Sequence, residues 1–530
     1  MNIYDQLGIL DFVVVGLYLI SLIGIGAWIS FRQKRPADEN YFLAGNSLNW
    51  TSIGFNMWGT NVGPSMLIAS ASIGYSTGIV AGNFSWYAFI FIFLLAVVFA
   101  PRYLGAKVQT LPEFMGKRFG NSTQNILAWY TIVTVLLSWL SLTLFAGGIL
   151  IQQILNLPMW SSVIILLLIA GFFTMAGGLK TIAYTNVIQM VLLIVVSFAL
   201  MWVGLDRVGG FGELIDKTPS NYWNLFLPTD DASYPWTAIL LGYPIMGVWF
   251  WCTDQSMVQS VLGAKSVKQG QLGANFTGWL KIIDVPLFIF PGIMCFILFP
   301  NLGNPDEAYM TMVTELFPTG MKGLVMAVLI AALVSTIDSA LNALSTVFTM
   351  DIFVKKFQPD AGQKKIVKVG HLVTVSGAIL SIFITMAIDS IKGLNLFDVF
   401  QSVLGFIAPP MSVVFLFGVL WKKTTTKAAN SILIFGTLLS LTIGVLYLWV
   451  FPNDPTTGVI IWPHFLLLSF YIFVFLSILI VIISYLDKES NPYKSTLDYS
   501  TLGKVAPKVK VLWAALIITM IGLYIYFNGH

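Results

Sequence analysis

The sequence predicts an all-α polytopic membrane protein with fourteen transmembrane helices and a five-plus-five inverted-repeat core. Three observations lead there. Of 530 residues, 57% are hydrophobic and only 10% charged, with a mean hydropathy of +0.83, whereas a soluble domain carries about 25% charged residues. The apolar residues fall in long uncharged runs, which read as spanning helices. Two of those runs carry clustered helix breakers in mid-span. So little polar material cannot cover a water-facing surface, which excludes a soluble enzyme, a nucleic-acid binder and a disordered chain.

The runs give spans at 9–31, 50–74, 77–100, 122–155, 159–176, 181–205, 236–260, 273–299, 322–354, 367–390, 396–420, 429–451, 462–485 and 509–527. The first is too long for the core of a signal peptide and no basic segment precedes it, so it is expected to stay as an uncleaved helix. The 122–155 and 322–354 runs exceed the ~20 residues a bilayer needs and are expected to tilt or project beyond it. Cys252 and Cys295 both lie in apolar runs and read as buried thiols, not a disulfide framework.

Charge sets the topology, because Lys and Arg favour cytoplasmic loops. With the N-terminus outside and strict alternation, 23 of the 28 basic residues fall on inside loops. Arg207, Lys217, Lys322 and Lys392 fall outside, and Lys281 lies within a span. Both termini are then extracellular or periplasmic, in a plasma or bacterial inner membrane. The organisation expected is a first helix and cytoplasmic loop (1–49), a first five-helix repeat (50–206), an outer loop (207–235), a second, inverted repeat (236–421) and three further helices (422–530). Leu486 to Lys508 reads as a polar cytoplasmic link.

The two broken spans open the two repeats. One carries Gly54, Gly59, Gly63 and Pro64; the other carries Gly242, Pro244 and Gly247. Backbone freed from its helix survives in hydrocarbon only when buried or lining a cavity. Matched breaks in two halves point to a transporter with its sites at the breaks. The halves share hydropathy and breaker position and no visible residue identity.

Ionisable and polar groups inside spans mark function. Ser335, Asp338, Ser339 and Asn342 share one helical face, with Thr336 beside it. This stripe of hydroxyl and carboxylate oxygens suits a small hard cation. Asn186 offers a neighbouring amide. Lys281 and Asp284, three residues apart, read as an intramembrane ion pair fixing helix packing, with a proton relay as the other reading. Trp249, Phe250 and Trp251 follow the second break as a hydrophobic gate or as packing. Gln401 stands in an apolar span just before Pro409 and Pro410.

Over residues 10–430 the chain resembles the sodium/solute symporter family, which includes the sodium–glucose cotransporters. The resemblance rests on Asn40 to Gly45 (NYFLAG), Leu111 to Phe114 (LPEF), Lys117 to Phe119 (KRF), Gln255 to Lys265 (QSMVQSVLGAK), Leu280-Lys281, Thr346 to Ile352 (TVFTMDI) and Leu396 to Lys423. It implies a LeuT-like core. It also implies a sodium site made by the carbonyls of Gly59, Val62 and Ala332 with the hydroxyls of Ser335 and Thr336. A second sodium site, which in some members uses an aspartate where Asn186 stands and serines where Asp338 and Ser339 stand, would here draw its charge from Asp338, with Ser335 shared. In the solute site Gln401 fits a sugar-binding glutamine. Ser85, Gly247 and Met66 replace the family's glutamate, asparagine and glutamine or histidine, and Phe250 replaces a stacking tyrosine. Those changes imply a different hydroxyl pattern on the solute.

The function expected is sodium-coupled symport of a small uncharged solute, a sugar or polyol, by alternating access, with sodium and the lipid bilayer as the other partners and no nucleic acid. A sodium- or ligand-gated sensor on the same scaffold, or proton-coupled symport through Asp338, Asp284 and Lys281, are the alternatives. A membrane enzyme is disfavoured, since His371, His464 and His530 are scattered.

Overall fold

A computed structural model describes residues 3–32, 40–231, 234–390, 396–451, 461–487 and 505–527. Among them, thirteen helical stretches are long and apolar enough to cross a bilayer. These are Ile9–Ile29, Met66–Gly105, Asn121–Leu155, Met159–Ala176, Gly178–Val208, Trp236–Thr253, Val267–Leu298, Met321–Phe357, Gln363–Asp389, Gln401–Leu420, Thr426–Val450, Phe465–Leu486 and Pro507–Tyr526. The sequence predicts fourteen, and the difference lies in the second and third spans. The second breaks into Trp50–Asn61 and Pro64–Thr77, separated by Val62 and Gly63, and from Met66 it runs on with the third as one stretch to Gly105. Most of the expected polar link, 488–504, lies outside the described residues, as do Lys34, Arg35, Lys392 and His530.

The core is organised around helix Met321–Val347, in which every residue from Val325 to Val347 is buried. A helix buried on all sides needs neighbours all round. It packs against Ile9–Arg32, Trp50–Asn61, Gln363–Asp389 and the long bent helix Met159–Val208. The bend falls at Gly178, whose φ of 57° only glycine adopts freely. Helix Trp50–Asn61 lies between Met159–Val208 and Val267–Asp284, and Pro64–Thr77 lies against Phe290–Leu298.

The second break is not where its breakers stand. Trp236–Val248 is helical with Pro244 inside it, widens over Trp249–Thr253, and ends at the extended residue Asp254 before helix Gln255–Leu262. The glycines serve close packing instead. A Cβ on Gly242 would lie 2.2 Å from the Leu466 carbonyl oxygen, and one on Gly247 would lie 2.4 Å from the Phe91 ring.

A strap, Tyr41–Asn46, packs against the Gly178 bend of helix Met159–Val208. Ala44, Gly45 and Asn46 are all left-handed, at φ 53°, 60° and 52°, and Tyr41 to Ala44 are buried. Gln259 Nε2 donates to Phe42 O at 2.9 Å, and Asn46 Nδ2 to Leu262 O at 3.0 Å. Leu48 N–H donates to Gly263 O at 3.1 Å, and Lys265 N–H returns to Leu48 O at 3.0 Å. The strap thus ties the start of Trp50–Asn61 to the end of Gln255–Leu262.

Candidate ion and solute site

At the first break the backbone runs out of donors. Val62 N–H still reaches Trp58 O at 2.8 Å, but Gly63 N–H turns to Asn61 O at 3.1 Å, leaving Gly59 O without its fourth-residue partner. Thr60 O loses its own because Pro64 has no N–H. Helix Met321–Val347 brings oxygen to this gap. Thr336 Oγ1 donates at 3.3 Å to Thr60 O and at the same distance to Ala332 O. Ser335 Oγ is buried with no hydrogen-bond partner, 3.1 Å from where a Gly59 Cβ would stand. Gly59, Ser335 and Thr336 therefore meet at one point, with Ala332 and Val62 beside it. An orphaned hydroxyl next to released carbonyls is a hard-oxygen donor set suited to a sodium ion, since buried polar atoms are seldom left unpaired.

A second polar cluster lies about a turn away along the same helix. Thr60 Oγ1 and Ser339 Oγ bond at 2.9 Å, and Ser339 Oγ also donates to Ser335 O at 2.8 Å and lies 3.4 Å from Asp338 Oδ1. Asp338 Oδ2 has no partner. Asn186 gives its NH₂ to Asn56 Oδ1 at 2.6 Å and keeps an unpartnered Oδ1. Asn186 and Asp338 are not bonded to each other.

Beside the first break is a cavity of about 400 Å³. Of the residues expected to touch solute, Met66, Gly247, Phe250 and Gln401 line it, together with Thr60 and Thr336. Ser85 does not: its hydroxyl donates to Asp284 Oδ2 at 2.9 Å, and its side chain is buried there. Phe250 packs on Trp139, ring centroids 5.2 Å apart. Gln6, Asn304, Asp306 and Glu307 stand at the far side of the cavity and form its mouth. They lie at the opposite end of the bundle from the strap, separated by the 24-residue helix Ile9–Arg32, about 36 Å long.

Lys281 and Asp284 form an ion pair in which each is 1% exposed. Asp284 Oδ1 also accepts from Trp58 Nε1 at 2.7 Å, and Lys281 Nζ donates to Asn61 Oδ1 at 2.8 Å. Trp251, read from the sequence as part of a gate, lines the cavity, whereas Asn61, beside the first break, and Trp139, in a plain apolar span, line it without a sequence signal of their own. Asp254 was missed as well. Its Oδ1 accepts from Met257 N–H at 3.1 Å and its Oδ2 from Trp139 Nε1 at 3.0 Å. The only available signal was a lone acid in an apolar run followed by Gln-Ser.

A membrane-spanning bundle with a broken helix, an oxygen-lined gap and a solute-sized cavity open at one end has the build of a secondary carrier. The chain belongs to the Sodium:solute symporter family, which it matches over residues 41–436. It is 34% identical over 466 residues to sodium/myo-inositol cotransporter 2 of Rattus norvegicus, covering 81% of this chain and 69% of that one. It is 31% identical over 470 residues to sodium/glucose cotransporter 4 of Danio rerio, covering 82% and 71%. Among solved structures it resembles a substrate-bound, outward-open Na⁺-coupled sialic acid symporter, with a TM-score of 0.77 at 18% identity over 92% of this chain and 99% of that one. MhsT in complex with L-phenylalanine aligns with a TM-score of 0.50 at 17% identity, over 82% and 97%. At those identities the likeness concerns the fold.

Proposed function

We propose that the protein is a sodium-driven symporter that imports a small uncharged polyhydroxylated solute, a sugar or polyol, by alternating access. The observation that carries this is the gap at Val62–Gly63, where released carbonyls and the unpartnered Ser335 hydroxyl adjoin the 400 Å³ cavity. Gly59, Val62, Ala332, Ser335 and Thr336 hold sodium, and a second ion sits by Asp338 with Ser335, Ser339 and Asn186. The solute lies against Met66, Gly247, Phe250 and Gln401. Among the described residues no Lys or Arg lines the cavity, and Asp306 and Glu307 stand at its mouth, which favours a solute without negative charge. Relatives named for myo-inositol and glucose support the same class.

The protein lies in the plasma or bacterial inner membrane with both termini outside, so the mouth faces out and the strap faces the cytoplasm. Sodium bridges Trp50–Asn61 to Met321–Val347 and steadies the break. The repeats 50–206 and 236–421 then rock against each other to expose the cavity inward. The protein moves its solute unchanged and is not an enzyme. One charge crossing 100 mV gives about 2.3 kcal/mol, enough for roughly 50-fold accumulation of a neutral solute. Two ions would about square that.

The test is uptake into proteoliposomes of myo-inositol, glucose, galactose and related polyols, with and without an inward sodium gradient. Sodium-stimulated accumulation is expected. Uptake driven by a pH gradient alone would replace sodium with the proton, and a ligand-evoked conformational change without uptake would make the protein a sensor.

A further inference from the structure

The Lys281–Asp284 pair does more than join turns of one helix. An ion pair between residues three apart needs no other partner, yet this one reaches the cavity wall. Lys281 Nζ donates to Asn61 Oδ1 at 2.8 Å, and Asn61 lines the cavity. The same ammonium lies 5.8 Å from the ring centre of Trp251, another wall residue. An ammonium only donates, so the amide atom that meets it must be the oxygen. The contact therefore turns the Asn61 oxygen toward Lys281 and leaves the NH₂ to face elsewhere. The Asp284 carboxylate holds the ammonium in place while also accepting from Trp58 Nε1 at 2.7 Å and Ser85 Oγ at 2.9 Å. Trp58 belongs to the same helix as Asn61, so the carboxylate is braced against the element it orients. Two charges this deeply buried are costly unless every partner is satisfied.

From this geometry we infer that Asp284 is a positioning residue for solute selectivity. Through Lys281 it locks the Asn61 amide so that its NH₂ is the group offered to one oxygen of the solute. Asp284 does not touch the solute. The inference rests on the neutral-solute reading above and adds which hydroxyl-recognising group is fixed, and how. A site built to hydrogen-bond one hydroxyl discriminates strongly against the analogue lacking it. With the lock released, the amide is no longer held toward that hydroxyl, and the discrimination goes.

The experiment compares half-saturating concentrations for myo-inositol, glucose and the monodeoxy analogues of glucose in sodium-driven uptake. In the wild type one deoxy position is expected to cost at least tenfold, the other positions being penalised independently. Asp284→Asn should abolish that one penalty and leave the others. Asn61→Leu, which deletes the amide at nearly the same size, should abolish the same penalty, and adding Asp284→Asn to it should change nothing further. Asp284→Glu should restore it. If Asp284→Asn alone does not yield folded protein, Lys281→Met with Asp284→Asn removes both charges together and should give the same selective loss. A mutant that keeps every wild-type penalty and loses only maximal rate overturns the inference, as does a wild type with no penalised position. A wild type that takes up none of the probes overturns the neutral-solute reading itself, a result distinct from either.

Discussion

The two breaks in the bundle are built alike in outline and differ in what fills them. At Val62–Gly63 the following helix starts with no side-chain cap, because Gly63 has no side chain to supply one and Pro64 has no N–H. Of the carbonyls left behind, Thr60 O takes the Thr336 hydroxyl, and the nearby Ser335 hydroxyl has no partner. At Asp254 the break carries its own anion, which caps Met257 N–H and takes the Trp139 indole N–H. One gap is open to a cation, and the other is closed by the chain itself. A broken helix in a membrane is therefore not a binding site by virtue of being broken; what decides is whether the sequence has already supplied the missing partner.

The largest effect is expected where the gap is open. Ser335→Ala with Thr336→Ala should bring uptake in sodium down to the sodium-free level, and retained stimulation would remove the ion from this gap. Next comes Asp338→Asn, which should lower the sodium Hill coefficient and reduce the accumulation reached at 100 mV from the two-ion toward the one-ion value, about 50-fold. Unchanged sodium dependence would leave Asp338 out of the coupling. At the closed break, Asp254→Ala strands the buried Trp139 N–H, at a cost of about 1–3 kcal/mol, and loses a cap worth about 1 kcal/mol. A lower melting temperature with an unaltered sodium-stimulation ratio is expected, and a sodium defect at unchanged stability would erase the contrast between the breaks. The smallest effects separate their glycines. Gly247→Ala drives a Cβ to 2.4 Å from the Phe91 ring and should cost about 1–3 kcal/mol of stability. Gly63→Ala meets only Thr336 Oγ1 at 3.5 Å and should leave the melting temperature nearly unchanged.

Much of this was legible in the sequence because it depends on patterns that repeat. Hydropathy placed the spans, and the hydroxyl stripe at Ser335, Asp338 and Ser339 follows from helical periodicity alone. The first break was legible because Gly63-Pro64 removes donors from the backbone itself. The second was misplaced because Pro244 and its glycines can be absorbed when a neighbour packs close, as Leu466 and Phe91 do, a condition set by residues more than a hundred positions away. Ser85 was misassigned for a related reason. Its partner Asp284 lies 199 residues on, and no local pattern shows that the hydroxyl turns toward it. Asn61 was overlooked because its significance comes from Lys281, on another helix.

The strap at Tyr41–Asn46 has a consequence of its own. Ala44 sits at φ 53° and Asn46 at 52°, in a conformation that costs a non-glycine residue about 1–2 kcal/mol, less for asparagine. The contacts of Phe42, Asn46 and Leu48 hold it there. The strap thus keeps a backbone cost that its neighbours must outweigh, like a spring held compressed by the parts around it. Ala44→Gly would relieve that cost without touching the cavity lining. A melting temperature unchanged or raised, despite the freer unfolded chain that glycine brings, would measure how much one methyl group holds in store.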